Sequence, residues 1–278
     1  SVPLTEENVD RLKEYMAAFN QPISTIKLDQ GEYANTGFTQ WGASGLAVAW
    51  AEENTRESIF QAFKRKETFA TTGSRIAVRF FGGYDLSSID LNSDSLVSQA
   101  YQKGVTMGGD LLNDNNKTPE FIVWAQRDKN GAPLQRIQII KGWMDSNSGR
   151  PSEYVYDVAC SDGLSVDPLT NRCPDNGARV NISDCSISKN VGSTELKTIW
   201  KDPDFNPLDK SFYYVRVLEN PTCRWSTWDA IKRGFKPRED LHETIQERAW
   251  SSPIWYSPNE TDVDVIPLGG TIQLRDFN

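Results

Sequence analysis

Six stretches between residues 76 and 257 share one pattern, and it restricts the fold more than any other feature of the chain. Each is a short run rich in aromatic and β-branched residues: IAVRFFGGY (76–84), PEFIVWAQRD (119–128), LQRIQIIKGW (134–143), SEYVYDVAC (152–160), SFYYVRVLE (211–219) and SSPIWYS (251–257). Turn-forming clusters separate them, among them Asp128-Lys129-Asn130-Gly131 and Ser146-Asn147-Ser148-Gly149. In FIVWAQ and LQRIQIIKGW one face is apolar while the other carries Gln, Arg and Lys, which is how a half-buried antiparallel strand reads. The segment DKNGAPLQ between two such runs reads as a hairpin connection. Short strands punctuated by turns imply a mainly antiparallel β-sandwich over residues 76–278. One helix at 225–233 and another around 243–249 are expected to interrupt it.

The pattern before residue 76 is different. Residues 5–19 read as an amphipathic helix: Thr5 can cap it, Glu6 and Glu7 suit its first turn, and Val9, Leu12, Met16 and Phe19 share a face. Pro22 ends it. In GASGLAVAWAEENTRESIFQAFKRKETFATTG, the continuous apolar run 46–51 suggests a strand buried on both faces. Asn54 then caps a helix, with Glu57 completing a capping-box spacing. Ile59, Phe60 and Phe63 form its expected buried stripe, and Lys64, Arg65 and Lys66 suit its negative end. A buried strand, a short turn and a helix make the unit of a parallel α/β layer or barrel. The expected class is therefore α+β: an incomplete α/β barrel fragment over residues 1–75, followed by the sandwich.

Charge and cysteine usage narrow the setting. The chain has 278 residues, 30 basic against 38 acidic, and a net charge of -8. Nucleic-acid binding needs a basic footprint to displace counterions, and an anionic membrane surface is disfavoured for the same reason. The run 46–51 is far short of the roughly 20 residues that span a bilayer. Cys160, Cys173, Cys185 and Cys223 lack the C-x-x-C spacing of zinc knuckles and redox pairs. An even count in a Gly/Asn/Asp-rich setting reads as two disulfides, hence a periplasmic or secreted protein, against four free thiols in the cytosol. Of three possible pairings, Cys160–Cys173 and Cys185–Cys223 are favoured. Loop-closure entropy makes them worth about 3 and about 4 kcal/mol.

Catalytic motifs are sparse. Gly42-Ala43-Ser44-Gly45 fails as a nucleophile elbow because Leu46 stands where the last Gly belongs. The single histidine, His242, reads as a surface or hydrogen-bonded structural residue. There is no H-x-H, D-x-H or H-E-x-x-H, so neither a metal ligand set nor a cofactor site is read in this chain. The oxygen-rich run Asp202-Pro203-Asp204-Phe205-Asn206-Pro207-Leu208-Asp209 reads as a rigid turn rather than a calcium loop. Asp110–Asn116 reads as a solvated loop. Trp124, Trp143, Trp200, Trp225, Trp228, Trp250 and Trp255 read as core packing in preference to a sugar-stacking platform.

Several segments taken together carry a resemblance: GASGLAVAWAEENTRESIFQAFKRKETFATTGSRIAVRFFGGYD, VTMGGDL, RIQIIKGW, DPDFNP, FYYVRVLENPTCRW and QERAWSSPIWYSP. Over about residues 37–258 the chain resembles the bacterial domain-of-unknown-function family 3604, a relative of the PHP-type metal-dependent hydrolases. The resemblance covers the C-terminal part of such proteins only. It implies an N-terminal half, carrying H-x-H and D-x-H ligands for a divalent metal, as the partner of this chain. The start, without initiator Met or signal peptide, fits a fragment. The implied function is the C-terminal portion of an exported hydrolase acting on a small-molecule ester or phosphoester. The alternative is a β-sandwich binding module for a glycan or protein partner. Because barrel enzymes place their chemistry at the C-terminal ends of strands, Glu52, Glu53 and Arg56 are the candidate barrel-mouth residues. They would contact substrate or support the site; the alternative reading, which carries more weight, is that the acids complement the dipole at the start of the helix.

Overall fold

The computed structural model describes residues 5–19, 25–29, 31–34 and 40–258. Helix α1 (Glu6–Ala17) precedes a hairpin of β1 (Thr25–Leu28) and β2 (Gly31–Ala34). Next come β3 (Leu46–Ala49), α2 (Arg56–Lys64), β4 (Thr68–Thr71), β5 (Ala77–Gly83), α3 (Leu96–Lys103), β6 (Gly104–Thr106) and β7 (Asp110–Leu112). The long strands β8 (Glu120–Gln126), β9 (Leu134–Met144) and β10 (Pro151–Cys160) lead to the short pair β11 (Val180–Asn181) and β12 (Ser186–Ile187). The chain continues through β13 (Glu195–Lys201), β14 (Lys210–Glu219), β15 (Thr222–Cys223) and α4 (Trp225–Lys232). It closes with β16 (Thr244–Ile245), β17 (Arg248–Ser251) and β18 (Ile254–Ser257).

Two sheets carry the fold. The larger runs β10-β9-β14-β17-β4-β3, with β18 joining β14 and β7 joining β18; the smaller runs β13-β8-β5-β6. All these pairs are antiparallel except β18 with β7. Alternate residues of both sheets meet in one core: Val78, Phe80, Phe121 and Val123 from the smaller, Ile137, Ile139, Val215 and Val217 from the larger. The β-sandwich read from the strand pattern is therefore present, in an α+β chain. A second apolar cluster lies on the other side of the smaller sheet, where Phe81 and Ile122 meet Leu86, Leu96 and Ala100. Helix α3, which the sequence reading missed, supplies Leu96 and Ala100 one helical turn apart.

Several local expectations need correction. DKNGAPLQ is not a hairpin connection: β8 and β9 lie in different sheets, so the segment crosses between them. Asp128 holds the crossing, accepting from the N–H groups of Asn130 and Arg75, while the Arg127 guanidinium donates to the carbonyls of Asp128, Lys129 and Gly131. Ser146–Gly149 does form a hairpin, with Met144 opposite Pro151 and Gly149 at φ 65°. Residues 243–249 are not a helix. Ile245 pairs with Thr222, and Arg248 and Ala249 pair with β14. Pairing of β17 with β14 on one side and β4 on the other decides against the weak helical pattern.

The apolar run at 46–51 is not a strand buried on both faces. β3 is the edge strand of the larger sheet among the described residues and pairs with β4 antiparallel, so β3, α2 and β4 make no parallel unit. No closed barrel is formed among the described residues. The N-cap of α2 is Thr55 rather than Asn54: its hydroxyl accepts from the Ser58 N–H, and the Ser58 hydroxyl accepts from the Glu53 N–H. Glu57 instead accepts from the Gln61 side chain one turn on. The expected stripe is not buried either, since Ala62 is the buried residue of α2 while Phe60 and Phe63 are exposed. In α1, Val9, Leu12 and Met16 are half-buried and Phe19 is exposed. Pro22 lies outside the described residues.

Both favoured disulfides form. Cys160–Cys173 closes the loop after β10, and Cys185–Cys223 ties the turn between β11 and β12 to β15, each with Cα atoms 5.6 Å apart. The Asp202–Asp209 run is a structural turn with Asp202 and Asp209 buried at its two ends. Lys141 Nζ lies 2.6 Å from Asp202 Oδ2 and donates to the Asp204 carbonyl at 2.7 Å. The Tyr213 hydroxyl donates to Asp202 at 2.7 Å and that of Tyr156 to Asp204 at 2.6 Å. Burial, reinforced by these carboxylates, pushes both phenols well above their ordinary pKa. The Asp202 and Asp204 carboxylates are thus engaged by cationic and phenolic donors, and Asp209 accepts from the Ser146 N–H and the Asn206 amide.

Candidate functional site

The segment from β3 to β6 builds a cavity of about 910 Å³. Trp50, just after β3, anchors one wall: its N–H donates to the Glu67 carbonyl at 3.0 Å and its indole Nε1 to the Val78 carbonyl at 2.8 Å. The backbone leaves α2 through Lys66 in the left-handed region at φ 58°. Gly108 (φ 85°) permits the close approach there, because a Cβ would strike the Lys66 backbone. This turn sets Glu67 at the foot of β4, almost fully buried.

A charged cluster surrounds that carboxylate. Glu67 Oε1 accepts from Arg79 Nη1 (3.4 Å), from Thr106 Oγ1 (3.3 Å) and, in a short hydrogen bond, from the Tyr101 hydroxyl. Glu67 Oε2 accepts from Arg65 Nη2 at 3.4 Å. Arg79 also donates to the Tyr101 oxygen at 2.8 Å and lays its guanidinium 3.6 Å over the Trp50 ring. A buried carboxylate is costly unless paired, and Arg79 with Arg65 supplies the pairing. Burial first, and then the hydrogen bond to Glu67, raise the Tyr101 pKa, with Arg79 pulling the other way. Tyr101 is therefore held as a neutral donor. The cluster has neither a free base nor an activated nucleophile, and it forms a floor in which two guanidinium groups face one carboxylate.

The rim differs from the floor. Lys64, Arg65 and Lys66 border the cavity together with Glu52 and Asp110. Of the candidate barrel-mouth residues, Glu52 borders it, whereas Glu53 and Arg56 are exposed and are not part of its lining. Glu67, Arg79, Tyr101 and Thr106 went unnoticed in the sequence. The one available signal was a charged residue inside a strand run, Arg79 in IAVRFF. His242 is exposed, as expected for a surface residue.

A second groove opens beside the first at the end of the larger sheet, with Lys66 and Asp110 bordering both. Its volume is about 1040 Å³, and Trp255, Phe212 and Trp143 line it. Here the core-packing expectation fails for five of the seven tryptophans: Trp225, Trp228 and Trp255 are exposed and Trp143 and Trp250 half-buried, whereas the half-buried Trp124 packs against the second apolar cluster. Trp200 alone of the seven packs against the main core, beside Phe121, Tyr156 and Tyr213. Strand alternation and the small inward residues of α4 turn the remaining five rings outward or sideways.

The model of the family described as "Protein of unknown function (DUF3604)" matches residues 6–258. The chain belongs to the DUF3604 family. No curated protein and no solved structure shows significant similarity to it. The match spans both sheets and both cavities, so the sandwich and the Glu67–Arg79 cluster are parts of this family member's matched region. No helix among its described residues is long and apolar enough to cross a membrane. The two disulfides are compatible with an oxidising compartment.

Proposed function

We propose that this DUF3604 chain is the substrate-binding C-terminal portion of a PHP-like metal-dependent hydrolase acting on esters or phosphoesters in the periplasm or outside the cell. The observation that carries the reading is the apolar face around β3 and α2. Leu46 is 39% exposed, Phe60 59% and Phe63 53%, on an edge strand and the helix that follows it. Edge strands and contiguous apolar faces of this kind are normally covered. An N-terminal half contributing the neighbouring layer would cover this one, and it would bring a buried environment to a run whose sequence already has that character.

The divalent metal of such a hydrolase does not fit the residues described here. Glu67 is saturated by Arg79, Arg65, Tyr101 and Thr106, and no three His, Cys, Asp or Glu side chains converge among the described residues. The chemistry this chain supplies is electrostatic. Lys64, Arg65 and Lys66 attract an anionic substrate, Arg79 and Trp50 hold the cavity wall, and Glu52 at the rim rejects a misplaced anion.

The test is a screen of nitrophenyl esters and phosphoesters with the intact polypeptide, comparing Lys66→Met with the parent sequence. Turnover with a several-fold higher KM and unchanged kcat in the variant supports the proposal. Absence of turnover on every substrate, or an unaltered KM, rejects it. A second reading, a sandwich that binds a glycan or protein partner without hydrolysis, is favoured by the exposed Trp255 ring at the second groove.

A further inference from the structure

One end of the larger sheet presents an aromatic row that is set by the strand register. Trp255 of β18, Phe212 of β14, Gly142 of β9 and Glu153 of β10 stand opposite one another in one row across four strands. Gly142 has no side chain to lift the neighbouring ring, and a Cβ there would collide with Phe212. Phe212 and Trp255 lie in ring contact, centroids 5.2 Å apart, and Tyr214 stacks on the other side of Phe212 at 6.3 Å with planes 14° apart. Trp255 nonetheless remains 45% exposed. A large indole left open on an otherwise ordered strand offers an apolar face for contact.

The groove's polar groups indicate which ligand. Lys66 and Lys210 are balanced by Asp110 and Glu153, so the groove is formally neutral and favours neither an anion nor a cation. The Lys66, Asp110 and Glu153 side chains make no hydrogen bond to any described residue and are exposed. Donors and acceptors of both signs therefore stand ready around an apolar ring face. A pyranose has the matching chemistry, with an apolar C–H face for the indole and a rim of hydroxyls that both donate and accept. The volume of about 1040 Å³ is at the upper end of ligand clefts, room for more than one ring.

We propose that this groove is a binding site for a neutral oligosaccharide, stacked on Trp255 and hydrogen-bonded by Glu153, Asp110 and Lys66. The assignment sharpens the second reading above and does not depend on hydrolysis. It is measured by calorimetry and tryptophan fluorescence with cellohexaose, chitohexaose, laminarihexaose and maltohexaose as probes. Saturable binding of at least one of them is expected, weakened at least tenfold by Trp255→Ala and several-fold by Glu153→Gln. The exposed Glu153 substitution keeps the test sound if the Trp255 variant loses its fold. No saturable binding of any probe at about 10 mM, or binding that both variants leave intact, overturns it. Binding of an arrayed peptide in place of every sugar, lost in the same variants, also overturns it. Turnover by the intact polypeptide with no sugar bound would reject this site while leaving the hydrolase reading standing.

Discussion

Replacing Glu219 with Gln should make the protein less sensitive to pH, by an amount that follows from the site. Glu219 ends β14 with its side chain buried, accepting a short hydrogen bond from the Ser74 hydroxyl. Burial first, and the nearby charges of Glu247 and Asp128 second, push its pKa up to about 7 from an ordinary 4.5. The folded state thus keeps a proton that the unfolded chain has already released. Stability from this group is fully present below about pH 4.5 and falls as pH rises, and it is gone above about pH 7. A gap of roughly 2.5 units corresponds to about 3 kcal/mol across that window. The amide has nearly the same shape and never ionises, so Glu219→Gln should match the parent near pH 4.5 or lie up to about 1 kcal/mol below it, for altered hydrogen bonds. At pH 8 it should be the more stable protein by about 2 kcal/mol. Urea unfolding of both proteins at half-unit steps from pH 4.5 to 8 measures the difference, and carboxylates common to both cancel. A stability difference that stays constant across this range would refute the reasoning.

The buried ion pair behaves in the opposite way. Lys141→Met strands Asp202 in the interior and should cost about 3–5 kcal/mol, while a Lys141→Met/Asp202→Leu double variant recovers most of it, as a double-mutant cycle by urea unfolding will show. Removing the longer disulfide as Cys185→Ser/Cys223→Ser should lower stability by about 4 kcal/mol under non-reducing conditions, and the gap should vanish when the parent is reduced at that bond. Gly142→Ala forces a methyl group against the Phe212 ring and should cost about 1–3 kcal/mol, read as a drop in the thermal midpoint.

The strand pattern was legible because a strand with one buried face must alternate. The runs at 76–84, 119–128, 134–143, 152–160 and 211–219 all became strands, and Trp225–Lys232 became a helix. Both disulfide pairings were also readable, since local loop closure favours them. The Glu67–Arg79–Tyr101 cluster was not, because its members come from the turn before β4, from β5 and from α3 and are brought together only by tertiary structure. Periodicity also carries no record of which sheet a strand joins. DKNGAPLQ has the composition of a hairpin loop, yet Arg127 and Asp128 fold it into a crossing between sheets.

The sequence alone determined that this chain is an antiparallel, disulfide-linked sandwich, since alternation, turn residues and cysteine spacing are local properties of the chain. Tertiary structure alone decided which surfaces stay open. LAVAWA and the Phe60–Phe63 stripe read as buried, but burial belongs to whatever packs against a segment, and here β3 stands at the sheet edge. Trp255 read as core for the same reason, and it is exposed because the register across β18, β14 and β9 sets it beside a ring pressed onto Gly142.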